Sequence, residues 1–143
     1  MILILFAISQ RLRIILSLIY LGCIAILSLL PSTDIPQVSM FPGADKIVHL
    51  CMYLGLSVIS CWSMHAEINY KWYYIVILFA ISWGISMEIF QKIMNLGRSF
   101  ELLDILSNSI GAIIGVVLYM LLVRLKNHFE LRKSDNLRHS GLL

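Results

Sequence analysis

Asp45, Lys46, His49 and Tyr53 are spaced so that, at about 100° per residue, all four project from one narrow arc of a helix. A carboxylate, an ammonium, an imidazole and a phenol on one arc combine a base, a cation and hydrogen-bond donors. Glu88 and Gln91 follow on one helical face, with Gly84 a turn earlier. A short loop then supplies Gly97, Arg98 and Ser99, and Asp104, Ser107 and Asn108 open a further helix ahead of Gly111 and Gly115. Proton transfer would fall to His49, Glu88 and Asp104, with Arg98 and Asn108 stabilising developing charge. Binding would fall to Asp45, Lys46, Tyr53, Gln91, Arg98, Ser99 and Asn108, with Lys46 and Arg98 holding a phosphate or carboxylate. Asp45, His49, Glu88 and Asp104 would suit a hard cation, but no spacing demands one, so no metal and no cofactor is assigned. There is no Ser-His-Asp order, glycine-rich phosphate loop or metalloprotease motif.

Each of these residues also has a plainer role. Asp104 precedes an apolar run and would cap its helix or complement the helix dipole. Gly111 and Gly115 form a small-xxx-small pair, read as a packing seam and as the contact through which a homo-oligomer would form. Lys46, Lys92 and Tyr53 would serve as interfacial anchors, and His49 as a hydrogen-bonded structural histidine. Glu88 resists this treatment. It sits about one turn, about 5 Å, inside the expected outer boundary, where a carboxylate needs a partner; Arg98, Lys46 and His49 are the cations at hand.

The elements that must position these residues follow from composition. Of 143 residues, 59% are hydrophobic and 13% charged, with a mean hydropathy of +0.88. A soluble domain carries about 25% charged residues, so this chain has too little polar surface to coat a water-exposed globule. Four apolar stretches, 14–30, 47–64, 72–91 and 105–123, each approach the ~20 residues needed to cross a bilayer as a helix. The fold expected is an all-α membrane protein, a bundle of four transmembrane helices spanning 14–123. An interfacial segment at 1–13 precedes it and a basic cytoplasmic tail at 124–143 follows. Cys23, Cys51 and Cys61 all lie in apolar runs and read as core or lipid-facing residues, not as a disulfide or metal framework.

Basic residues set the orientation. With the N-terminus inside, Arg11, Arg13, Lys71, Arg124, Lys126, Arg132, Lys133 and Arg138 are cytoplasmic, and only Lys46, Lys92 and Arg98 lie outside. That imbalance favours a multi-pass protein of the cell membrane with both termini cytoplasmic and the polar stripes facing outward. A net charge of +3 gives no case for nucleic acid, so membrane lipids are the expected partners.

The ordered motifs Asp45-Lys46-x-x-His49-x-x-x-Tyr53, Glu88-x-x-Gln91, Gly97-Arg98 and Asp104-x-x-x-Asn108-x-x-Gly111-x-x-x-Gly115 resemble the VanZ-like family over about Leu27 to Tyr119. Leu96 departs from the pattern, standing where the family often has a proline. The resemblance implies a membrane protein of the cell envelope, in a family whose namesake is associated with low-level resistance to the antibiotic teicoplanin. It implies no settled reaction. Three functions follow: a binder of an anionic lipid-linked envelope precursor, an enzyme acting on such a lipid, or a scaffold whose polar cluster is a structural ion-pair network.

Overall fold

In hydrocarbon a backbone N–H or C=O has no solvent partner, so each apolar stretch closes its own hydrogen bonds as a helix. The computed structural model describes residues 6–30, 43–94 and 100–139, with side chains up to residue 132. It contains α1 (Gln10–Leu29), α2 (Ala44–Ser63), α3 (Lys71–Met94) and α4 (Leu102–His139), and no strand among the described residues. All four are long and apolar enough to cross a membrane. The fold is an all-α bundle of four transmembrane helices.

Each helix outruns the apolar stretch that marks it in the sequence. Hydropathy stops at the first charge, whereas a helix continues through flanking polar residues wherever no glycine or proline breaks it. α4 shows this most clearly. Residues 124–139, expected as a tail, continue as the same helix, because this segment is rich in Leu, Lys, Arg and Glu and contains neither breaker. At 1.5 Å per residue its 38 residues measure about 57 Å, nearly twice the ~30 Å hydrocarbon core, so nearly half of its length projects beyond the hydrocarbon.

Lipid, not water, is the solvent that sorts these side chains. Large apolar residues such as Leu18, Ile26, Leu78 and Ile113 are exposed, while Ser57, Ser60, Ser63, Ala80 and Ala112 are buried. Small residues at the interfaces let backbones approach closely, which drives helix association when apolar side chains gain nothing by leaving lipid. α2 and α3 each pack against all the other helices, α2 most extensively against α4, whereas α1 and α4 do not meet.

α2 and α4 run parallel and in register. A Cβ on Gly111 would collide with the Leu50 carbonyl, and one on Gly115 would collide with the Leu54 carbonyl and stand 2.9 Å from Ser57 Cβ. The close approach that this glycine pair permits is therefore made within one chain. It also brings the first turns of α2 and α4 to the same depth. α3 is antiparallel to both: Glu88, near its C-terminal end, accepts a hydrogen bond from the Glu101 backbone N–H just ahead of α4.

The opposite end of the bundle holds the start of α1 and the end of α2. There Arg13, 2% exposed, donates from Nε to the Ile8 carbonyl (2.9 Å), and from its two terminal nitrogens to the Trp62 carbonyl (3.2 Å) and the Phe6 carbonyl (2.5 Å). Its guanidinium also lies 5.1 Å from the centre of the Trp62 ring. Residues 6–9 thus fold back over α2, with Phe6 against Tyr119 of α4.

Candidate functional site

The first turns of α2 and α4 and the last turns of α3 bring ionisable groups from three helices together. His49, Glu88, Asp104 and Asn108 are all buried there, Glu88 with 0% exposure. His49 Nδ1 lies 3.1 Å from Asn108 Oδ1, and His49 Nε2 lies 3.7 Å from Asp104 Oδ2. One ligand atom from each of His49, Glu88 and Asp104 falls within 4.8 Å of the others, which makes this trio able to hold a metal. Above it, Lys46 Nζ bridges three carboxylates: Asp45 at 2.7 Å, Asp104 at 2.5 Å, and Glu101. The N-terminal turns of α2 and α4 lie at this end of the bundle, where the helix dipole favours negative charge.

Below this layer Tyr53 and Gly84 complete the packing. A Cβ on Gly84 would stand 3.1 Å from Asn108 Nδ2 and 3.3 Å from Tyr53 Cε1, so glycine leaves the room that these two polar side chains occupy. Both end without a hydrogen-bond partner among the described residues: the Tyr53 hydroxyl and Asn108 Nδ2 are fully enclosed yet unmatched. A buried donor left unpaired costs about 1–3 kcal/mol, so these groups mark a place where a structure optimised only for stability would differ.

Most of the residues singled out from the sequence meet here. Lys46, His49, Tyr53, Glu88, Asp104 and Asn108 form the cluster, with Asp45 exposed at its rim. Gln91 points elsewhere: its Nε2 donates to the Ser28 carbonyl at 2.8 Å and ties α3 to α1. Arg98 and Ser99 lie outside the described residues. Asp104 is in the first turn of α4 but not at its cap, because the helix opens at Leu102 and the Glu101 carbonyl accepts the Asp104 N–H at 3.1 Å. α3 runs on to Met94, which places Glu88 about 9 Å from the end of its helix.

Glu101 is the residue that the sequence reading missed. It pairs with Lys46 through its side chain and with Glu88 through its backbone. Its place three residues before Asp104 was the available signal.

A family model described as VanZ/LLP1 matches residues 1–123. The chain belongs to the VanZ/LLP1 family. No curated protein and no solved structure matches it. The family match takes in α1, α2, α3 and the membrane-embedded part of α4, and ends before the projecting turns. Every residue of the polar cluster therefore belongs to the VanZ-like region of a multi-pass membrane protein.

Proposed function

We propose that this VanZ-like protein acts in the cell envelope, where its polar cluster binds or modifies an anionic lipid-linked molecule and thereby affects susceptibility to glycopeptide antibiotics. One observation carries the reading: four polar residues from three helices, His49, Glu88, Asp104 and Asn108, are buried side by side in a bundle otherwise solvated by lipid. Intramembrane ionisable groups are costly, and their usual use is to handle a polar substrate or a proton. Two helix N-termini at the same end of the bundle supply fixed positive potential for a phosphate. His49 and Glu88 are the candidate bases, and Lys46 and Arg98 the headgroup cations. Mass spectrometry of lipids that co-purify from mild detergent tests the proposal. A lipid-linked phosphate enriched over bulk phospholipid, together with altered teicoplanin susceptibility on overexpression, is the expected result. Finding only bulk phospholipid would sink it.

The cluster faces the extracytoplasmic side in this reading, with both chain ends in the cytoplasm. Impermeant thiol labelling checks it on a background lacking Cys23, Cys51 and Cys61. Cysteine at Asn95 should label from outside and cysteine at Asn69 should not; the reverse pattern would move the cluster to the cytoplasmic face. One observation favours a non-catalytic scaffold instead: Lys46 is engaged by three carboxylates of its own chain, which joins the ends of α2 and α4 as a structural clamp would.

A further inference from the structure

Three helices each contribute one potential metal ligand to the same buried point, and the surrounding side chains already orient two of them. The Asn108 carbonyl oxygen faces His49 Nδ1 at 3.1 Å, and the tautomer protonated at Nδ1 satisfies this contact with a lone pair left on Nε2. That lone pair faces Asp104 Oδ2, an acceptor, at 3.7 Å. The separation is too long for a hydrogen bond. It does match two ligands of one ion, which at bond lengths near 2.0–2.2 Å stand about 3–4 Å apart. The other oxygen of Asp104 is held by Lys46 at 2.5 Å, fixing the carboxylate's rotation. An imidazole whose second nitrogen donates to an amide, beside a carboxylate anchored by its second oxygen, is the arrangement that supporting residues impose on metal ligands.

A second, independent observation points the same way. The Tyr53 hydroxyl is fully buried, lacks a hydrogen-bond partner among the described residues, and lies within electrostatic reach of Glu88. It is poised either to donate to the third carboxylate ligand or to a water that fills an open coordination position.

We propose that His49 Nε2, Glu88 and Asp104 bind one divalent metal ion of the Zn2+ or Mn2+ class, leaving coordination positions open toward the rim. One imidazole and two carboxylates form a mixed donor set, which suits these ions better than Ca2+ or Mg2+, whose sites are built from oxygen alone. Such an ion would turn an acidic cluster into one that attracts an anionic headgroup. It involves the residues of the lipid reading but does not depend on that reading, because ion binding is measured with no lipid substrate added.

The test uses the full chain in detergent, stripped with chelator and titrated separately with Zn2+ by calorimetry and with Mn2+ by loss of the free-ion paramagnetic resonance signal. One equivalent of at least one ion should bind per chain. His49→Gln and Asp104→Asn should abolish stoichiometric binding while keeping helical circular dichroism and a monodisperse elution. Asn108→Ala should weaken binding about 10–100-fold, since it removes only the partner that orients His49. Glu130→Gln, on the projecting part of α4, should change nothing. Because a variant with a buried group removed can fail to fold, His49→Cys provides a positive signal. Loaded with Co2+, it should gain a thiolate-to-cobalt charge-transfer band that the unaltered protein lacks. No stoichiometric binding of either ion, full binding by His49→Gln, or a His49→Cys variant without that band would each overturn the proposal. Loss of binding in Asp45→Asn would also overturn it, by assigning the ion to the exposed group of Asp45, Glu101 and Asp104.

Discussion

Lys46→Met should lower stability by about 2–4 kcal/mol, and adding Asp104→Leu should restore most of that loss without restoring envelope activity. Lys46 is the cation that holds the oxygen of the buried Asp104 carboxylate at 2.5 Å. Removing it strands a carboxylate beside His49 and Glu88, and an uncompensated buried charge costs several kcal/mol. The figure sits toward the low end because the Lys46 side chain keeps 21% of its surface and its other partners, Asp45 and Glu101, are half exposed and hydrate readily. Taking out Lys46 and Asp104 together removes the stranded charge, and an apolar pair of similar volume is often as stable as the ion pair it replaces. Denaturant or thermal unfolding in detergent reads the stability. The co-purifying lipid and antibiotic susceptibility read the activity. If the double variant were fully active, the cluster would be a scaffold and the binding proposal would fall.

The sequence carried the four spans because bilayer thickness sets helix length and hydrocarbon excludes charge, so length and hydropathy alone locate them. It also carried the core of the cluster. His49 and Tyr53 share an arc of α2, Asp104 and Asn108 share an arc of α4, and a parallel α2–α4 pair then brings the arcs face to face. What one-dimensional spacing cannot show is which neighbour a side chain chooses. Gln91 lies three residues from Glu88 on the same face, yet it reaches α1 and bonds the Ser28 carbonyl, because its extra turn carries it past the cluster. Glu101 looked like a loop residue and instead joins Lys46 to Glu88. The continuation of α4 beyond Val123 was hidden because its residues are polar, and polarity marks the end of a membrane span but not of a helix.

The ionisable residues at the two ends of the bundle have different work, and Arg13 shows the contrast. It was counted in the sequence only as a topological charge, but its guanidinium is enclosed and spends its donors on the carbonyls of Phe6, Ile8 and Trp62. Its role there is structural: three of the acceptors it meets are main-chain carbonyls, and its fourth neighbour, His65 Nδ1 at 3.4 Å, lies 3.5 Å from Glu67 Oε1. Arg13→Leu should therefore cost about 2–4 kcal/mol, because it leaves buried carbonyls unmet and releases the segment before α1 from α2. Arg13→Lys should recover little of this, since a single ammonium cannot span three carbonyls or lie flat against the Trp62 ring as a guanidinium does. The loss should appear as a lower melting temperature, faster proteolysis near Phe6 and a shift in tryptophan emission. Metal binding and lipid retention, measured well below the new melting temperature, should be unchanged, because the cluster lies at the other end of α2. A stable Arg13→Leu protein that had lost its ion or its lipid would mean that the two ends are coupled, and that the α2 terminus at Trp62 transmits to His49.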